Sequence, residues 1–140
     1  MGLAPYGKSE YCYDKIKQII DSLKFIKVVP GRSEYITSND GFPSVMLDYA
    51  HTDDALENIL KSVKNKSFRK ILLVFGAGGG RDKGKRKAMA RIAEKFADRC
   101  IITTDNPRNE NPKRIRTAIK KKINKSKVYE VPDRSEAIKK

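Results

Sequence analysis

Residues 71 to 86 read ILLVFGAGGGRDKGKR and carry the clearest signal of the fold. The first five are apolar without alternation, which is typical of a strand buried on both faces of a parallel sheet. A glycine-rich loop follows at residues 76–80 and leads into a sequence with helical spacing. The apolar stripe of that predicted helix consists of Met89, Ile92, Ala93 and Phe96. The stretch therefore predicts a strand, a loop and a helix of an α/β fold.

The same alternation extends in both directions along the chain. Upstream, an apolar run at residues 45–47 precedes another helical stripe, made of Leu56, Ile59, Leu60 and Val63. Downstream, two further runs lie at residues 101–104 and 128–131. Asn111 and Pro112 suit the N-cap and first position of the helix between those runs. Apolar strands separated by helices imply a doubly wound, mainly parallel sheet.

The amino-terminal part has a different pattern. Four apolar residues at i, i+3, i+4 and i+7 predict an amphipathic helix that ends near Phe25. They are Ile16, Ile19, Ile20 and Leu23. Pro30 and Gly31 then interrupt regular structure. We therefore predict a helical region at residues 1–27, a linker or hinge at residues 28–44 and an α/β domain at residues 45–140.

The composition limits the class of protein. The 140 residues include 31 Lys and Arg against 17 Asp and Glu, and the net charge of +14 favours an anionic partner. A solvated basic surface explains the same charge, so charge alone names no ligand. No run approaches the roughly 20 apolar residues of a membrane span, and no signal peptide is recognisable. Because Cys12 and Cys100 lie far apart without metal-ligand spacing, we expect reduced thiols and a cytoplasmic protein.

Three loops follow predicted strands, where ligands bind in parallel sheets. The first contains Asp48, Tyr49 and His51, which suit a ribose hydroxyl and a flat base. First-turn carboxylates of a helix and a structural histidine are the alternative interpretation. The second loop, at residues 76–86, combines glycines with cations near a helix start and suits an anion. It matches neither a P-loop nor a dinucleotide fingerprint, so a plain turn is equally compatible.

The third loop covers residues 105–110. Arg108 offers a planar fork for a carboxylate, and Asn106 offers both a donor and an acceptor. An amino-acid zwitterion needs that mixture of groups. Asn-Pro and the residues after it are also common turn formers, and that alternative stays open from the residues alone.

Four segments resemble, in order and spacing, the UDP-N-acetylmuramoyl-tripeptide synthetases, which are Mur ligases of the diaminopimelate-adding type. They are VPGR at residues 29–32, DYAHT at 48–52, the glycines and RDKGKR at 78–86, and DNPR at 105–108. The resemblance covers about residues 13–138. The first helix resembles the tail of the family's central domain, and the rest resembles its Rossmann-like carboxy-terminal domain, truncated at its end.

The resemblance implies an ATP-dependent amide ligase of peptidoglycan synthesis. In the family, ATP and Mg²⁺ convert a carboxylate of UDP-N-acetylmuramoyl-L-alanyl-D-glutamate into an acyl phosphate, which the amine of meso-diaminopimelate attacks. By resemblance, the residues that contact ATP are Arg32, Asp48, Tyr49 and His51. The residues that contact meso-diaminopimelate are Arg81, Asp105, Asn106 and Arg108. The resemblance assigns no catalytic residue and no metal ligand to this sequence.

Parts of the family pattern are missing from this sequence. Asp53, Ala77 and Gly80 stand where the family usually has proline, cysteine and aspartate. The UDP-sugar domain, the central P-loop domain and a late Gly-Lys-Gly-His-Glu motif are also missing, so we expect no catalysis by this chain alone and no complete hold on ATP or Mg²⁺. A separate chain that carries the central domain is one expected partner. The alternative function is a non-catalytic module that binds an amino acid or nucleotide, whereas nucleic-acid binding rests on charge alone.

Overall fold

The structure is a computed structural model that describes residues 8–25, 29–36, 43–66, 70–80 and 82–140. The chain divides into two compact units, Met1–Leu47 and Asp48–Lys140. Among the described residues, no helix has the length and apolar character needed to cross a bilayer.

The first unit contains one helix and one small sheet. Helix α1 (Lys8–Leu23) confirms the predicted amino-terminal helix. Its apolar stripe is exposed, with more than half the surface of each of these side chains open to solvent: Ile16, Ile19, Ile20 and Leu23. Strands β1 (Glu34–Ile36) and β2 (Val45–Leu47) pair antiparallel.

The pairing of β2 corrects one expectation. The apolar run at residues 45–47 was expected to open the parallel sheet, but it pairs with β1 in a separate two-stranded sheet. Val45 and Leu47 are each more than two-fifths exposed, so β2 is not buried on both faces as a strand inside a parallel sheet would be. An apolar run indicates that a segment is extended, but it does not indicate which strand pairs with it.

The second unit has the predicted α/β architecture. In chain order its elements are α2 (Asp53–Lys64), β3 (Leu72–Phe75), α3 (Lys83–Phe96), β4 (Arg99–Ile102), α4 (Pro112–Lys120), β5 (Val128–Glu130) and α5 (Arg134–Lys139). The three strands form a parallel sheet in the order β3-β4-β5, with Phe75 opposite Ile102 and Ile102 opposite Glu130. The expected α/β fold with a parallel sheet is thereby confirmed.

The sheet buries apolar residues on both faces. On one face, Cys100 and Ile102 of β4 pack in a cluster with residues of α2, α3 and α4. On the other face, Ile101 packs with Val131 and with Ala137 of α5. Successive residues of β4 therefore pack into the apolar clusters on opposite faces of the sheet, which explains why this strand is apolar without alternation.

Each helix of this unit begins at a polar cap just beyond a loop. A side chain at each N-cap accepts a backbone N–H from the first turn, which satisfies one donor that the helix itself leaves unpaired. The caps are Thr52 for α2, Asp82 for α3, Asn111 for α4 and Asp133 for α5. Asn111 followed by Pro112 confirms the helix start that the sequence predicts.

Cys100 lies at the centre of the sheet and is completely buried. Burial, together with the charge of Glu94, raises the pKa of the Cys100 thiol to about 11, although Lys127 acts in the opposite direction. The thiol therefore behaves as a small apolar core group.

Candidate functional site

A cavity of about 300 Å³ opens beyond the carboxyl ends of β3 and β4. The glycine-rich loop after β3 forms one wall, and the loop after β4 forms another. The cavity brings together six of the predicted site residues: Asp48, Tyr49, His51, Asp105, Asn106 and Arg108. Arg81 lies outside the described residues. Arg32 belongs to the first unit, whereas this cavity is lined by residues of the second unit.

The segment from Asp48 to His51 forms a compact turn at the edge of the cavity. Asp48 Oδ1 accepts the N–H of Ala50 at 2.7 Å, and His51 Nδ1 lies 3.2 Å from the Tyr49 carbonyl oxygen. The rings of Tyr49 and His51 are 5.2 Å apart between centroids and tilted by 58°. Tyr49 is 62% exposed and His51 is also exposed, so both rings are accessible in the segment that begins at Asp48.

The glycines after β3 permit close contact with the loop after β4. Gly79 donates its N–H to the Asn106 carbonyl oxygen at 2.8 Å. A Cβ atom on Gly76 would lie 2.5 Å from the Thr103 carbonyl oxygen, and one on Gly79 would lie 1.8 Å from the Pro107 carbonyl oxygen. The absence of side chains at Gly76 and Gly79 therefore serves the packing of one loop against the other.

An internal ion pair joins the start of α3 to the loop after β4. Arg86 Nη1 donates to Glu110 Oε2 at 2.9 Å, and Arg86 Nη2 donates to Glu110 Oε1 at 2.7 Å. Gly80 N–H also donates to Glu110 Oε1 at 2.7 Å. The sequence predicted an anion near these cations, and the Glu110 carboxylate of the chain itself takes such a position. Arg86 is therefore committed to an internal partner.

The ionisation of Glu110 reflects these contacts. The hydrogen bonds from Arg86 and from the Gly80 amide, aided by the charge of Lys83, lower the pKa of the Glu110 carboxyl from 4.5 to about 2. Because the folded pKa lies below the unfolded value, the ionised carboxylate contributes its full stabilisation above about pH 4.5. That contribution is lost as the pH falls from about 4.5 through about 2.

We expect Glu110→Gln to reduce the acid sensitivity of the fold. Other carboxyl groups also titrate in this range, so the relevant quantity is the difference between parent and variant in thermal melts from pH 7 to pH 2. The parent should lose more of its melting temperature than the variant between pH 4.5 and pH 2, because only the parent must protonate the carboxyl of Glu110. Parallel loss in the two proteins would contradict the assignment.

Arg108 is held in an uncommon conformation at the cavity. Its φ is +47°, which places a non-glycine residue in the left-handed region. Its N–H donates to Asn106 Oδ1 at 3.2 Å, and its Nη1 donates to the Gly79 carbonyl oxygen. Asp105 is the third predicted residue of this loop, and its Oδ1 atom lies 3.9 Å from Arg134 Nη2.

A second ion pair fixes the end of β4. Arg116 donates from Nε to Glu130 Oε1 at 3.0 Å and from Nη1 to the Thr104 hydroxyl at 2.8 Å. Burial opposes ionisation of Glu130, but hydrogen bonds from Arg116 and Lys120 outweigh it and hold the pKa of the carboxyl below its ordinary value. Thr104, the residue before Asp105, is therefore hydrogen-bonded to α4 and, through Arg116, linked to Glu130 of β5.

Sequence reasoning missed several residues of this site. Arg134, the first residue of α5, lines the cavity, and its position just after β5 was the signal that pointed to it. The pairing of Arg86 with Glu110 joins positions 24 residues apart, in α3 and in the loop after β4, and only their opposite charges pointed to it. Among the described residues, no group of three or more histidine, cysteine or acidic side chains is placed to hold a metal ion.

Comparison with known proteins gives consistent matches. Residues 31–140 match the family described as "Mur ligase, glutamate ligase domain". Two relatives are named UDP-N-acetylmuramoyl-L-alanyl-D-glutamate--2,6-diaminopimelate ligase. The protein from Rickettsia conorii is 50% identical over 123 residues, which are 86% of this chain and 25% of that protein. The protein from Leptospira borgpetersenii is 50% identical over 99 residues, which are 71% of this chain and 20% of that protein.

Solved structures agree with the sequence matches. A ligase structure of the same name is 37% identical with a TM-score of 0.70, covering 94% of this chain and 27% of that one. A folylpolyglutamate synthase from Mycobacterium tuberculosis, complexed with ADP, has a TM-score of 0.66 over 80% of this chain and 24% of that one. At 21% identity, the second match shows a shared fold alone. The chain thus spans about a quarter or less of the length of most of these proteins.

Proposed function

Because the chain belongs to the Mur ligase family, we propose that it is the carboxy-terminal part of a ligase that adds meso-diaminopimelate to UDP-N-acetylmuramoyl-L-alanyl-D-glutamate in peptidoglycan synthesis. The relatives that are 50% identical carry the name of that ligase, which supports this substrate. The structural observation that carries the proposal is that Arg108, Asn106 and Asp48 line one cavity.

The loop after β4 has the chemistry to select diaminopimelate. The distal end of this substrate is an amino-acid zwitterion, and its carboxylate suits the planar fork of Arg108. Nη1 of that arginine donates to Gly79, and Nη2 has no hydrogen bond to another of the described residues. The Asp105 carboxylate can accept hydrogen bonds from the distal ammonium group. Lysine lacks the distal carboxylate, so a bound lysine would leave Arg108 without an anionic partner.

The turn at residues 48–51 has the chemistry to hold a nucleoside. Tyr49 and His51 are exposed, and the flat face of either ring could stack on a base, while the Asp48 carboxylate can accept hydrogen bonds from ribose hydroxyls. ATP, when bound, supplies the phosphoryl group that activates the acceptor carboxylate. The folylpolyglutamate synthase that shares this fold was solved in complex with ADP, so a protein with a domain of this fold binds a nucleotide. We propose Arg32 as a phosphate contact, and Mg²⁺ as a requirement met by the rest of the ligase.

The contribution of this domain is to bind the substrates and orient them for reaction. The amine of diaminopimelate must be held at the reacting carboxylate, and fixing two reactants in this way supplies much of the acceleration of a bimolecular reaction. We therefore propose that the central domain, within a longer protein or on a separate chain, acts together with this one. The UDP-N-acetylmuramoyl dipeptide is the second proposed substrate.

Calorimetry on the chain tests the substrate. We expect measurable heat with meso-diaminopimelate and a weaker response with L-lysine. Arg108→Ala should weaken diaminopimelate binding by at least about tenfold, because breaking a desolvated charge pair is costly. Arg91→Ala, an exposed arginine of α3 outside the cavity lining, is the matched control and should bind as the parent does. Equal affinity for diaminopimelate and lysine, or no effect of Arg108→Ala, would reject the assignment.

The comparisons do not favour an independent binding module. The relatives at 50% identity are ligases, and the matched region corresponds to one part of each. A nucleic-acid function has no support beyond the net charge of +14. Its signature would be an affinity that falls steeply with salt concentration.

A further inference from the structure

We propose that the ion pair between Arg86 and Glu110 positions the guanidinium of Arg108 for the carboxylate of the amino-acid substrate. The proposal rests on the proposed function, because that function assigns Arg108 to diaminopimelate. Arg86 and Glu110 are positioning residues here: they act on the substrate through Arg108.

The pair ties the glycine-rich loop at two points. Arg86 Nη2 donates to the Gly78 carbonyl oxygen at 3.2 Å as well as to Glu110. The Glu110 carboxylate in turn accepts the N–H of Gly80 at 2.7 Å. The backbone on both sides of Gly79 is therefore anchored by the same two side chains.

Gly79 transmits this placement to Arg108. Its N–H donates to the Asn106 carbonyl oxygen at 2.8 Å, and its own carbonyl oxygen accepts from Arg108 Nη1. Because one end of the guanidinium rests on Gly79, the position of Gly79 determines where the fork points. A displaced glycine loop would carry Arg108 Nη1 with it or lose the hydrogen bond.

The backbone of Glu110 closes the turn that contains Arg108. The N–H of Glu110 donates to the Pro107 carbonyl oxygen at 2.9 Å, so the chain folds back within three residues. Arg108 lies inside this turn at a φ of +47°. A non-glycine residue keeps such a conformation only where its surroundings enforce it. The anchored side chain of Glu110 provides that enforcement from two residues away.

Burial makes the pair effective. Only 6% of the Arg86 side chain is exposed, against 28% for Glu110. Removing the negative charge would leave a buried guanidinium without its ionic partner, which is strongly unfavourable. We therefore expect the neutral variant Glu110→Gln, which keeps nearly the same shape, to release Arg86 and loosen both loops.

Hydrogen exchange of the Gly79 amide tests the positioning without any ligand. In Glu110→Gln, we expect exchange at Gly79 to become at least about tenfold faster through local opening, while the amide of Ile102 in β4 keeps its rate. Glu57→Gln is the matched control, because Glu57 forms an ion pair with Lys61 at 3.0 Å on the surface of α2. An unchanged rate at Gly79 would overturn the proposal, as would equal acceleration at Ile102.

A double-mutant cycle in binding tests the link to substrate. Glu110→Gln should weaken diaminopimelate binding about tenfold in the parent and less than about twofold in an Arg108→Ala background, because both act on one contact. A general structural role would instead give the same loss in both backgrounds and would overturn the proposal. A parent chain that binds no diaminopimelate would reject the proposed function and, with it, the substrate link. The exchange result would still report separately on the coupling of the loops.

Discussion

Gly79→Ala is expected to lower the free energy of unfolding by about 3 kcal/mol or more, at the upper end of the cost of forcing extra atoms into a packed region. The new Cβ would lie 1.8 Å from the Pro107 carbonyl oxygen and 2.6 Å from its carbonyl carbon. Both atoms are backbone, so no side-chain rotation relieves the clash. Thermal unfolding should show a loss of at least about 12 °C, since 1 kcal/mol corresponds to roughly 4–8 °C in a domain of this size.

Gly78→Ala is the matched control in the adjacent position. Its Cβ would lie 3.1 Å from Arg108 Nη1, the end of a flexible side chain, and 3.6 Å from the Asn106 carbonyl oxygen. We expect its stability to stay within about 1 kcal/mol of the parent, because a glycine with an ordinary backbone tolerates alanine. Similar melting temperatures for the two variants would contradict the close packing of the loops.

Ile102→Ala is expected to destabilise the second unit by about 2–5 kcal/mol, the range for removing a fully buried isoleucine side chain. Ile102 has no exposed surface and lies on the central strand of the parallel sheet. The cavity left by its side chain would be bounded by a strand and helices that cannot collapse freely. Chemical denaturation with a two-state fit provides the measurement.

Leu72→Ala is the corresponding control on β3. Leu72 is 54% exposed, so its truncation removes little buried area and should cost less than about 1 kcal/mol. If Leu72→Ala destabilised the protein as much as Ile102→Ala, the assignment of β4 to the centre of the core would be wrong.

The elements of the second unit could be predicted because their sequence signals are local. The run before Gly76, the stripe that includes Met89 and the cap at Asn111 each lie within one element. The partner of the run at residues 45–47 could not be predicted, because strand pairing depends on which segments meet in space. An apolar run carries no information about that choice.

The candidate site, too, was predictable only where the sequence signals are local. The place of Arg108 at this cavity was predictable, because its loop follows a strand of the parallel sheet and ligands bind beyond the carboxyl ends of such strands. Asp48 also lines the cavity, but it follows β2 of the antiparallel pair, so the same argument does not account for its place there. The role of Gly79 was not predictable, since it depends on Pro107 in a loop that is distant in sequence. The commitment of Arg86 to Glu110 was hidden for the same reason. The roles of the predicted site residues in binding remain predictions that the variants above test.

The burial of Cys100 has a consequence for the chemistry of the folded protein over time. With a pKa of about 11, the thiol is ionised in only about one molecule in ten thousand at pH 7, and the thiolate is the form that reacts. An oxidant or alkylating reagent also has no path to a completely buried sulfur while the sheet is intact. Oxidation or alkylation of Cys100 therefore requires the domain to open first. The rate of alkylation of its thiol would then measure how often the domain opens.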